Sequence, residues 1–114
     1  METYIGGNMK IQPVGSLRDL QIAQIKFPEE SADAIRDIAS TNRWSTNRTN
    51  WELWDELDMN FTHIIFRKNG LLNTPNKYII ECVFVAIEIA VNGKDFADCV
   101  SQAWIQWKRQ QRAE

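Results

Sequence analysis

The chain has 114 residues, enough for one well-cored domain and too few for two. Hydrophobic residues make up 44% and charged residues 25%, a balance that excludes an intrinsically disordered chain. The net charge of −2 gives no general case for attraction to nucleic acid or anionic membranes.

The first 15 residues carry Gly6, Gly7, Pro13 and Gly15 and read as a short strand pair or an extended arm. Ser16 and Asp19 have the spacing of a capping box, which predicts a helical turn from Leu17. Against this, Ala23, Ile25 and Phe27 recur at period two, which suits a strand. Pro28, an acidic first turn and Ile35, Ile38 and Ala39 at helical spacing predict an amphipathic helix over 28–40, with Asn42 as its left-handed stop.

Residues 40–50 read STNRWSTNRTN, so Thr-Asn-Arg occurs twice around Trp44. Thr49 and Glu52 then fit a capping box, predicting a helix over 50–58 with Trp51, Trp54 and Leu57 on one side. Next, Ile64, Ile65 and Phe66 before Asn69-Gly70 predict a strand and a type I′ turn, returning through Leu71-Leu72.

The run over 76–91 is rich in Val and Ile, so a buried strand competes with a helix there. Three features favour the helix: its length, the boundary signals Thr74-Pro75 and Asn92-Gly93, and Lys77, Glu81 and Glu88 near one face. Phe96, Cys99, Val100, Ala103, Trp104 and Trp107 then form a helical stripe over 95–111. The expected fold class is α+β in a single domain, 1–114. Short N-terminal strands and a hairpin pack on helices, and an antiparallel two-helix hairpin ends the chain. A helix over 75–91 that is apolar on most sides needs more cover than a small domain supplies, which predicts a homodimer or higher oligomer.

No nucleotide-loop, zinc-protease or nucleophile-elbow motif is present. His63 is the lone histidine, and Cys82 and Cys99 have no visible His partner, so neither a catalytic residue nor a metal site is predicted. The start of the chain lacks the basic-then-apolar pattern of a signal peptide, which with two cysteines predicts a reducing, cytoplasmic setting, no cofactor and no membrane contact.

Two segments have binding chemistry. In the first, Arg43 and Arg48 can fork onto a phosphate, Asn47 supplies donors and acceptors, and Trp44 can stack on a base. These four, with Arg109 of a neighbouring subunit, form a candidate nucleotide site. The plainer reading is that Asn42 ends one helix and Thr49 caps the next. Residues 28–58 carry eight acids and three Arg, a net of −5. Within them Trp51, Glu52 and Asp55 form a candidate surface for a protein partner, which Lys108 would join. In the second segment, Lys108, Arg109 and Arg112 on the last helix, with Trp104 and Trp107 nearby, suit nucleic acid. The alternative there is that both Trp are core and the cations complement the helix dipole.

With its opening YIGG and its short, Trp-rich chain, the protein resembles in format small phage- or mobile-element-encoded accessory proteins. These include anti-CRISPR proteins and sponges that sequester the nucleotide signals of host immunity. The likeness is one of size and style. It implies a non-enzymatic protein that neutralises a host defence component, either by holding a nucleotide-like signal or by contacting a protein target. The alternative is a small nucleic-acid-binding regulator using the basic last helix.

Overall fold

The computed structural model describes residues 17–46, 50–68 and 75–112. The chain divides into two compact units, Met1–Arg43 and Trp44–Glu114. Among the described residues, four helices and a three-stranded antiparallel sheet make the class α+β. The expected N-terminal strands, the Asn69-Gly70 turn and its return arm Leu71-Leu72 lie outside the described residues.

In the first unit, α1 (Leu17–Lys26) packs on α2 (Ala32–Asn42). The helical signal prevails over the period-two reading of α1, and Ile22 and Ala23 are buried. Ser31, not Pro28, begins α2: its side chain accepts a hydrogen bond from the Ala34 amide at 3.2 Å, the standard use of a Ser N-cap. The left-handed stop falls one residue beyond the expected Asn42, on Arg43 (φ 50°, ψ 50°), whose amide donates to the Ala39 carbonyl at 3.0 Å.

In the second unit, α3 (Trp51–Asn60) leads through Thr62 into β1 (His63–Lys68), which pairs with β2 (Tyr78–Phe84). β2 turns at Val85-Ala86 into β3 (Ile87–Gly93), and α4 (Phe96–Arg112) follows. The strand order is β1-β2-β3. The helix expected over 75–91 is therefore corrected: Tyr78–Phe84 and Ile87–Gly93 form a β-hairpin, and among the described residues there is no C-terminal pair of antiparallel helices. The physical reason is alternation. Ile80, Cys82, Ile89 and Val91 are buried on the face that meets α4, while Glu81, Glu88 and Ala90 fall on the other. The oligomer expectation that rested on an all-round apolar helix loses that basis.

Helix α4 lies across β2 and β3 and also packs on α3. Val100, Ala103 and Trp104 are fully or almost fully buried, and Trp107 meets Phe61 edge-on at 5.5 Å. Asp95 and Asp98 start α4 reciprocally: the Asp98 amide donates to Asp95 Oδ1 and the Lys94 amide to Asp98 Oδ2, both at 2.8 Å. The strand-to-helix approach is so close that a Cβ on Gly93 would sit 2.8 Å from Cys99 Sγ, so glycine is required there by space.

Candidate functional site

The residues proposed for nucleotide binding separate into different environments. Arg43 is the exposed cap residue that ends the first unit. Trp44 begins the second and is only 4% exposed, with its indole N–H donating to Glu52 Oε1 at 3.3 Å. A ring so covered presents no face for a base to stack on. Asn47 and Arg48 lie outside the described residues. Arg109 is exposed near the C-terminal end of α4, where a cation complements the helix dipole.

What anchors this segment is Asn50. It is 4% exposed, and its amide nitrogen donates to the Trp44 carbonyl at 3.1 Å and to the Ala97 carbonyl at 3.4 Å. It sits at the N-cap of α3 without a side-chain capping bond, so its side chain ties the start of α3 to the start of α4. Its Oδ1 is buried and has no hydrogen-bond partner among the described residues. Thr49, expected to cap this helix, lies outside the described residues.

Helix α3 divides cleanly in two. Leu53 and Leu57 are fully buried, and Trp54 contacts the Phe96 ring at 5.5 Å. Contrary to the sequence expectation, Trp51 does not share that side with Trp54 and Leu57. It is 56% exposed, together with Glu52, Asp55, Asp58 and Met59. Trp51, Asp55, Asp58 and Met59 follow helical i, i+4, i+7 and i+8 spacing and so occupy one outward face. An apolar side chain thus stands at each end of a row of carboxylates.

Lys108 belongs to the half-buried seam between α3 and α4. Its ammonium bonds Glu56 Oε2 at 2.8 Å and lies 4.6 Å from the Trp107 ring centre. The other Glu56 oxygen accepts the Trp104 indole N–H at 2.8 Å. One carboxylate therefore satisfies a buried indole and a lysine together. Sequence reasoning passed over Glu56 because Glu52, four residues before it, makes the pair look like part of a solvated face. With Trp104 and Trp107 buried and Lys108 engaged, the core reading of the last helix holds, and no aromatic platform accompanies Arg109 and Arg112.

Among the described residues, no three His, Cys, Asp or Glu side chains come together to hold a metal ion. Cys82 and Cys99 are buried and unlinked. Burial pushes the Cys82 thiol up to about 11, so it stays protonated at neutral pH. His63 stands on the exposed face of β1. An open groove of about 390 Å³ lies in the first unit, lined by Leu20, Gln24, Phe27, Ile35 and Arg36 among others, and none of the sequence-derived candidates reaches it. No described helix is long and apolar enough to cross a membrane. No family model, curated protein or solved structure matches the chain.

Proposed function

We propose that this chain is a non-enzymatic binding protein, encoded by a phage or mobile element, that neutralises a host defence component in the cytoplasm. Its working surface is the outward face of α3, and its target is a protein with a basic surface. The observation that carries this reading is the exposure of Trp51 beside Glu52, Asp55 and Asp58 on a helix held firmly from behind by Leu53 and Leu57. A rigid helix presenting a Trp within a row of acids combines an apolar anchor with charge that selects a cationic partner. The nucleotide-sequestering form of the reading is the weaker one, since Trp44 is packed.

The test is capture of the target from bacterial host cells by the tagged chain. Asp55→Lys with Asp58→Lys, and separately Trp51→Ala, should each lose the captured protein while circular dichroism stays unchanged. Capture that survives all three changes would remove α3 as the surface. A nucleotide carried through purification and seen by native mass spectrometry would instead favour the sequestering form. Steeply salt-dependent DNA or RNA binding would favour the regulator.

A further inference from the structure

Among the described residues the sheet has two outer edges, and they differ. β1 carries Arg67 and Lys68, the kind of charge that discourages strand addition. β3, of sequence IEIAVNG, carries no Lys, Arg or Pro over its seven residues, and its ladder with β2 runs without a bulge.

Which β3 groups face outward follows from the hydrogen bonds. The Thr62 amide and hydroxyl both donate to the Val83 carbonyl, at 3.0 and 3.1 Å, so Val83 directs its backbone toward the β1 side. Backbone groups alternate along a strand, so Tyr78, Ile80, Cys82 and Phe84 direct theirs toward β3. Their register partners are Gly93, Val91, Ile89 and Ile87. Glu88, Ala90 and Asn92 therefore direct their N–H and C=O away from the sheet. The Gln102 side chain agrees with this assignment, reaching the Asn92 carbonyl from outside the ladder at 2.7 Å. That carbonyl keeps a second lone pair.

We propose that β3 is the contact by which two copies of this chain associate, pairing antiparallel about a two-fold axis at Ala90 to make one continuous six-stranded sheet. The occupant is a second copy because the edge is complementary to itself in one register. With Ala90 opposite Ala90, Glu88 of each copy lies opposite Asn92 of the other. All three outward residues are then used, each carboxylate meets an amide, and the smallest side chain sits at the axis. Shifting the axis to residue 88 sets Glu88 against Glu88. Shifting it to residue 92 leaves Glu88 and Ala90 without partners from the other strand. On the α4 side, Ile89 meets Val91 of the other copy and Ile87 meets Gly93, so the apolar layer continues across the junction.

The experiment uses the full chain and substituted cysteines. Cys82 and Cys99 are buried, so only an introduced surface thiol can link two copies. In the proposed register the Ala90 Cα atoms stand about 5.5 Å apart, within disulfide reach. Glu88 of one copy lies roughly 13 Å along the strands from Glu88 of the other, beyond it. Wild type should sediment as a monomer–dimer equilibrium. Ala90→Cys under mild oxidation should become a linked dimer on a non-reducing gel, and Glu88→Cys alone should stay unlinked. Glu88→Cys mixed with Asn92→Cys should link. Ala90→Pro, which removes an outward N–H and no bond within the sheet, should sediment as a monomer with unchanged circular dichroism. A wild type that stays monomeric at its highest attainable concentration would overturn the proposal. So would Glu88→Cys linking as readily as Ala90→Cys, or a dimer that persists in Ala90→Pro.

Discussion

On α1 and α2 the buried apolar side chains are Ile22, Ala23, Ile35 and Ala39, and two of these are methyl groups. Around α4 they include Trp104, Trp107, Leu53, Leu57, Ile80 and Ile89. Helices of the first kind depend on their ends: a Ser31 cap at one terminus and a left-handed Arg43 at the other. Packing holds the second unit together, and its polar groups serve that packing. Glu56 pairs with a buried indole, and Asp98 closes the turn into α4. Stability in the one unit is local, and in the other it comes from residues far apart in sequence.

That contrast can be tested by substitution. Trp104→Ala removes the largest fully packed side chain and should cost about 3–5 kcal/mol in denaturant titration, whereas Ile35→Ala on α2 should cost about 2. Equal costs would mean the first unit is packed as tightly as the second. Glu56→Ala leaves the Trp104 indole and Lys108 without this carboxylate and should cost about 1–3 kcal/mol, which thermal unfolding will read. A loss comparable to surface substitutions would demote the α3–α4 seam. The smallest effects concern two non-glycine residues at positive φ among the described residues, Val85 at 53° and Arg43 at 50°. Val85→Gly should stabilise by about 1 kcal/mol because a β-branched residue is strained there. Arg43→Gly should gain less, since an unbranched residue tolerates a helix stop better.

Elements governed by local signals were legible in the sequence. The helical stripe from Phe96 to Trp107 is α4, and the apolar run before Asn69-Gly70 is β1. α3 was placed correctly, but its facing was not. Trp51 and Trp54 have the same chemistry, and only tertiary packing decides that Trp54 meets Phe96 while Trp51 stays outside. The β2–β3 hairpin was misread for an identifiable reason. Its turn is Val85-Ala86, which has none of the Gly, Asn or Asp that ordinarily mark a two-residue turn, so the two strands ran together as one long apolar segment. For the candidate nucleotide site, the sequence left the burial of Trp44 undecided. Trp44 looked like a loop aromatic between two helix ends, yet its carbonyl and indole are drawn inward by Asn50 and Glu52.

The Val85 turn also bears on the order of folding. A two-residue turn with an unfavourable backbone at its first central position does little to bring its strands together, so the hairpin is a poor nucleus by itself. The contacts that can close it are long-range ones, from α4 onto Ile80, Cys82, Ile89 and Val91. The sheet is therefore expected to assemble on the helix, with loop closure across the chain ahead of the turn. Val85→Gly transfers part of that task to the turn itself. Its gain in stability would then appear in the refolding rate as well as in the unfolding rate.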